Sequence, residues 1–150
     1  MKALYKLRVV AKRLNKVLEL LDPVAESQYK ELQEIIKDEV DYFRAIQSVD
    51  PSYWQGRSIL FNSQTPPHRD TRNPPAEWTP LHAAGNFTKG GSLYIHDLKL
   101  RVRYLPGDLI FFRGRLLLHS VEPWDGGQRI SAAYFTHESM WRHFNQRLSL

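Results

Sequence analysis

The chain has 150 residues, of which 42% are hydrophobic, with seven Phe, seven Tyr and four Trp. That suffices for one folded domain with a sizeable core and argues against wholesale disorder. There is no cysteine, which excludes disulfides, thiolate metal sites, zinc fingers and cysteine nucleophiles, so any metal must be held by carboxylates and by the six histidines. The net charge of +5 is unevenly placed. Residues 1–20 carry six Lys/Arg and one Glu, residues 21–50 three Lys/Arg and eight Asp/Glu, and residues 51–150 twelve Lys/Arg and seven Asp/Glu. The first two segments cancel, so the excess lies in the last, where it favours a polyanion, a dianionic small molecule, or simply solubility.

No apolar run approaches the roughly 20 residues that span a bilayer, so no membrane partner is expected. The opening stretch is basic and apolar but lacks a secretory h-region. Glu19 and the acidic stretch after it favour a packed helix over a leader. Leu4, Leu7, Val10, Leu14, Val17, Leu18 and Leu21 recur at three- and four-residue steps, which predicts a helix over 3–21. Asp22-Pro23 predicts a restart, with Asp as N-cap and Pro at the first helical position. Leu32, Ile35, Ile36, Val40, Phe43 and Ile46 then predict a second helix to about Gln47. Covering one face of a sheet is the expected role of both helices, with nucleic-acid binding by the basic first helix as the alternative.

After Val49-Asp50-Pro51 the pattern becomes β-like. Strands are expected at 58–61, 79–86, 92–96, 100–105, 109–112, 116–121 and 129–136. Lys89-Gly90-Gly91, Pro106-Gly107-Asp108 and Gly126-Gly127 supply turns. Seven or eight short strands with tight turns indicate a mainly β barrel, sandwich or jelly roll. The expected organisation is a helical support at 1–50 packed on a β core at 51–150, in one compact domain.

His68 and Asp70 stand two residues apart, so in extended backbone they share a face. His119 sits in the apolar stretch Leu116–Val121, where a core histidine is the plain alternative. Together they form a two-His, one-carboxylate set, which leaves positions open on Fe(II). Arg129 follows Asp125-Gly126-Gly127. Alternation puts Arg129, Ser131, Ala133, Phe135 and His137 on one face, with Tyr134 on the other. A guanidinium beside a hydroxyl suits a carboxylate; a solvated hairpin arginine is the alternative.

H-x-D, then His 49 residues after the Asp, then R-x-S starting ten residues later, resembles the Fe(II)/2-oxoglutarate dioxygenase superfamily. The text HRDTRNPPAEW, GNFTKGGSLYI, YLPGDLIFFRGRLLLHSV and WDGGQRISAAYFTH is most similar to the TET/JBP-like branch, particularly its short fungal members. The resemblance covers residues 57–137. It implies a double-stranded β-helix (jelly roll, cupin-like) with two supporting helices. It also implies Fe(II), 2-oxoglutarate as cosubstrate, and O2. His68, Asp70 and His119 would ligate the metal. Arg129, with Ser131, would hold the distal carboxylate of 2-oxoglutarate, and Asn62, Gln64 and His82 are candidates for the proximal one. Asn73 and His137 match positions that hold a flipped 5-methylcytosine, and Phe135 could line the site or stack a base. Asn73-Pro74 also reads as a turn, and His137 as a strand-end surface residue.

The expected activity is oxidation of 5-methylcytosine to 5-hydroxymethylcytosine in nucleic acid. Only two helices precede the barrel, which favours a single strand, a flipped base or a nucleoside over a gripped duplex. The alternatives are hydroxylation or N-demethylation of another base, a peptide or a small molecule, and a non-catalytic cupin-like binding domain. An intracellular location is expected; the nucleus enters only through the suspected substrate.

Overall fold

The computed structural model describes residues 2–148. Helix α1 (Lys2–Leu21) buries Ala11, Leu14 and Leu18 completely, so the predicted stripe holds in its middle. Leu21, at its end, is exposed, and the side chain of Leu4 lies outside the described residues. Helix α2 (Pro23–Glu39) starts as its sequence dictates: Pro23 opens it, and the Asp22 carboxylate accepts the Ala25 N–H at 3.0 Å. The predicted run to Gln47 is interrupted. Val40 takes an extended conformation, with its N–H still bonded to the Ile36 carbonyl, and a separate short helix, α3 (Phe43–Val49), follows. Val and Asp at 40–41 are weak helix formers, and α3 buries none of its residues, so no continuous core stripe enforces one long helix.

Two compact units are present. One comprises the residues up to Gln55 together with those from His137 onward. At its centre Tyr29 packs against Tyr53, Trp54 and Trp141, with ring centroids 6.4, 5.4 and 5.0 Å away. The segment after α3 is tied to the helices by Asn15, which donates to the Pro51 carbonyl and accepts the Tyr53 N–H, and by Gln33, which donates to the Ser52 carbonyl. A helix the sequence pattern did not suggest, α4 (Glu138–His143), contributes Trp141. No described helix is long and apolar enough to cross a membrane.

The other unit, Gly56–Thr136, carries the strands. Its largest sheet is antiparallel and contains, in spatial order, β1 (Gly56–Phe61), β9 (Arg129–Phe135), β2 (Thr79–Gly85) and β6 (Leu109–Phe112). A second sheet orders β5 (Leu100–Val102), β4 (Leu93–Ile95) and β7 (His119–Val121). A two-stranded piece pairs β3 (Lys89–Gly90) with β8 (Trp124–Asp125). The architecture is thus several antiparallel sheets with N-terminal helices. The interior of this unit collects Leu81 and Ala83 from β2, Phe112 from β6, Leu93 and Ile95 from β4, and Val121 from β7. The two larger sheets therefore turn apolar faces onto one core.

Register fixes which face each residue takes. Leu81, Ala83 and Gly85 pair with Ala133, Ser131 and Arg129, so these six share the core side. Gly85 has φ +110°, and a Cβ there would lie 2.1 Å from the Gln128 carbonyl oxygen. Only glycine lets the chain pass so close beside Arg129. The strand expected at 116–121 begins only at His119, because the N–H groups of Leu116 and Leu117 both turn back to the Arg113 carbonyl.

Candidate metal centre and anion clamp

His68 and His119 are brought together by an isolated antiparallel bridge, in which each N–H donates to the other's carbonyl, at 2.9 and 3.0 Å. A directly opposed pair projects both side chains to one side, and the rings stand 4.2 Å apart. Each imidazole uses Nδ1 in the same way: His68 bonds the Pro66 carbonyl at 2.9 Å and His119 the Leu117 carbonyl at 2.8 Å. A carbonyl only accepts, so Nδ1 carries the hydrogen and Nε2 keeps a bare lone pair. Asp70 Oδ1 lies 3.6 Å from His68 Nε2. One ligand atom from each of His68, Asp70 and His119 falls within 4.8 Å of the others.

The carboxylate is oriented from behind. The Asp70 N–H donates to the Gly114 carbonyl at 3.0 Å, and the Thr79 hydroxyl donates to Oδ2 at 3.3 Å. A Cβ on Gly114 would lie 2.0 Å from that Oδ2, so the absence of a side chain there makes the space the carboxylate occupies. Burial pushes the Asp70 carboxyl up, but the neighbouring His68 and His119 imidazoles and the Thr79 hydroxyl outweigh it, and the net shift is down. His68 is raised, chiefly by the Asp70 carboxylate beside it. His119 is lowered, chiefly by burial. An ionised carboxylate and a neutral buried imidazole are the forms that ligate a metal, so the donor set fits a divalent cation of the Fe(II) type.

Arg129 enters the same core from β9 and is only 1% exposed. Its Nη1 donates to Ser131 Oγ at 3.0 Å. Its Nε and Nη2 are buried with no partner among the described residues. The rings of Tyr104, Trp124 and Phe87 surround the guanidinium carbon at 5.0, 5.5 and 5.8 Å. Burial pushes this guanidinium below its usual range, with Tyr104 acting against the shift. A buried cation without a counter-ion is costly, and two unused donors in an aromatic enclosure match a carboxylate brought by a ligand.

The other predicted residues are distributed unevenly. Asn62, at φ +48°, donates its N–H to the Arg129 carbonyl and accepts the Arg129 N–H on Oδ1, both at 2.8 Å. Its oxygen braces the clamp strand. Gln64 is exposed in a segment without strand structure. His82 pairs with Ala132 and Leu109, which sets it on the opposite face of the sheet from Ser131. This corrects its expected place beside the cosubstrate carboxylate. Asn73 is buried in the turn after Asp70; its N–H bonds the Asp70 carbonyl, and its carbonyl accepts from Arg115. Phe135 keeps the parity of Arg129 and Ser131, its ring closing on Gly56. Strand alternation does not reach His137. The strand ends at Phe135, and His137 is the N-cap of α4, in the helical unit. Sequence reading missed Gly114 and Thr79 behind Asp70, and the aromatic walls around Arg129. Only the glycine in Arg113-Gly114-Arg115 offered a signal.

No protein-family model matches the chain, and no curated protein matches it. A solved structure of NgTET1 in complex with 5mC DNA is similar over 89% of this chain, with a TM-score of 0.68 and 20% identity. The chain spans about half of that one, 49%. A viral collagen prolyl hydroxylase, vCPH from Paramecium Bursaria Chlorella virus-1, solved with 2OG, gives a TM-score of 0.39 at 15% identity, over 69% of this chain and 70% of that one; a likeness that slight carries no weight. The first likeness establishes a shared fold. Within that fold one ligand atom from each of His68, Asp70 and His119 converges in a geometry that could hold a metal ion.

Proposed function

We propose that this protein is an Fe(II)- and 2-oxoglutarate-dependent dioxygenase of the TET/JBP-like type, with a double-stranded β-helix core, acting on 5-methylcytosine in nucleic acid. The observation that carries the reading is the presence, within one strand unit, of three convergent ligand atoms and a buried guanidinium whose Nε and Nη2 have no partner among the described residues. Two observations favour a base in nucleic acid as substrate. NgTET1 was solved with 5mC DNA, and the charge excess of residues 51–150 suits a polyanion.

In this reading His68 Nε2, Asp70 Oδ1 and His119 Nε2 hold Fe(II). The bound metal supplies dioxygen activation, coupling conversion of 2-oxoglutarate to succinate and CO2 with hydroxylation of a substrate C–H bond. The chain's own groups bind and orient. Arg129 offers Nε and Nη2 to the distal carboxylate. Ser131 Oγ, accepting from Arg129, is left to donate its own hydrogen to the same anion. Tyr104, Trp124 and Phe87 exclude water, which strengthens that charge-assisted contact. Thr79 and Gly114 fix the Asp70 carboxylate. Phe135 and Asn73 are the proposed base contacts in this unit. A nuclear location accompanies a DNA substrate.

The test is to load the protein anaerobically with Fe(II), add 2-oxoglutarate, air, and single- or double-stranded DNA containing 5-methylcytosine, and quantify succinate and digested nucleosides. Succinate coupled to 5-hydroxymethylcytosine, both lost in Arg129→Ala, is the expected result. Succinate with unchanged nucleosides would move the activity to another substrate. No succinate from iron-loaded protein would leave a binding domain.

A further inference from the structure

The segment that carries His68 and Asp70 and the strand that carries His119 meet through backbone, by the bridge between the two histidines and by the Val121 N–H donating to the Thr65 carbonyl at 3.1 Å. A further connection lies just outside them. The β4–β5 hairpin turns through His96–Lys99, with Lys99 at φ +50° and its N–H bonded to the His96 carbonyl, and this turn presents Asp97. Asp97 Oδ2 accepts the Leu118 N–H at 2.6 Å, and Oδ1 accepts from Arg69 Nη2 at 3.0 Å. Leu118 is the residue before His119, and Arg69 is the residue between His68 and Asp70. The circuit is closed on both sides. Arg69 Nη1 donates to the Leu116 carbonyl, and the Leu118 carbonyl accepts the His96 N–H at 2.8 Å. Both backbone groups of Leu118 are thereby held by the hairpin turn.

We infer that Asp97 is a positioning residue for the candidate metal centre, strapping the His68–Asp70 segment to the His119 strand through Arg69 and Leu118. The inference rests on the metal-site reading above. Both partners of the Asp97–Arg69 pair are more than one third exposed, and an ion pair so placed adds little to global stability. Its consequence is local: three ligands on two separate segments stay in one arrangement before a cation arrives. Groups that hold ligands from behind typically control metal affinity about 10–100-fold.

The test compares Asp97→Ala, Asp97→Asn and Arg101→Ala in the full chain. Arg101 is paired with Glu122, the residue just past the end of β7, so its replacement reports loss of a surface ion pair beside the same strand. Two quantities are read. The first is amide hydrogen exchange at His68 and His119 in metal-free protein. The second is Co(II) affinity with the visible absorption of the bound ion. Asp97→Ala is expected to speed exchange at both histidines, weaken Co(II) binding about 10–100-fold and alter the spectrum, at an unchanged melting temperature. Asp97→Asn keeps an acceptor for Leu118 and falls between. Arg101→Ala matches wild type. Exchange and affinity in Asp97→Ala equal to those of Arg101→Ala would overturn the strap. Wild-type protein that binds no Co(II) would instead overturn the metal-site reading, and the exchange data would still decide the strap.

Discussion

Gly114 is outside the left-handed backbone region, so what it supplies is room: a Cβ would lie 2.0 Å from Asp70 Oδ2 and 2.8 Å from the Thr79 hydroxyl. Both atoms are ends of side chains, which yield more readily than backbone. Gly114→Ala is therefore expected to leave the fold intact, displace the carboxylate and weaken divalent-metal binding by at least about 10-fold. A Co(II) titration beside a thermal melt separates the two effects. Arg129 poses the opposite problem, a cation kept in an apolar enclosure with two donors unused. Arg129→Met is expected to unfold in urea at equal or higher free energy, by up to about 1–4 kcal/mol, while losing all stabilisation by added 2-oxoglutarate. A clear loss of stability in ligand-free protein would contradict the view that this charge is retained for a ligand.

At the scale of elements, the helical unit is joined by one buried acid. Glu26 on α2, only 6% exposed, accepts from Tyr53 and pairs with Lys30, each at 2.7 Å. Burial pushes its carboxyl up, but the hydrogen bonds from Lys30 and Tyr53 outweigh that and hold it below the ordinary value of 4.5. A carboxylate with a depressed folded pKa contributes stability that is complete above its unfolded pKa and is lost as pH falls through the folded one. Urea unfolding between pH 3 and 7 should show stability falling below about pH 4.5, with a shallower fall in Glu26→Gln. An identical slope in the variant would remove Glu26 from the acid response. In the strand unit, register does comparable work. The same alternation that seats Ser131 beside Arg129 sends His82 to the far face. A one-residue slip of β9 against β2 would turn Arg129 and Ser131 to that far face as well.

For the whole molecule, ligand binding and folding are linked. With a saturating divalent metal present, 2-oxoglutarate at about 100 times its Kd should raise unfolding free energy by about 2.7 kcal/mol beyond the metal's own contribution, and EDTA should remove both; a melt indifferent to EDTA would mean that no metal binds the folded chain. Much of this protein was legible in one dimension. Helix α1 and the start of α2 follow from apolar spacing and from Asp22-Pro23. Most strands follow from Gly- and Pro-bounded apolar runs. His68, Asp70, His119, Arg129 and Ser131 follow from residue types whose chemistry is local to each. The break at Val40 and the late start of β7, where Leu116 and Leu117 turn back to Arg113, were not legible from apolar spacing, and the appearance of α4 was not because its Trp141 finds its partner, Tyr29, far away in the chain. The same holds at the site. The sequence by itself determined which donors are available and, by alternation, that Arg129 and Ser131 share a face. Only the tertiary structure decided that His68 pairs with His119 across 51 residues, that Gly114 makes the space for Asp70, and that aromatic rings from three separate segments enclose Arg129. Proximity between residues far apart in the chain is a property of packing, and no local pattern encodes it.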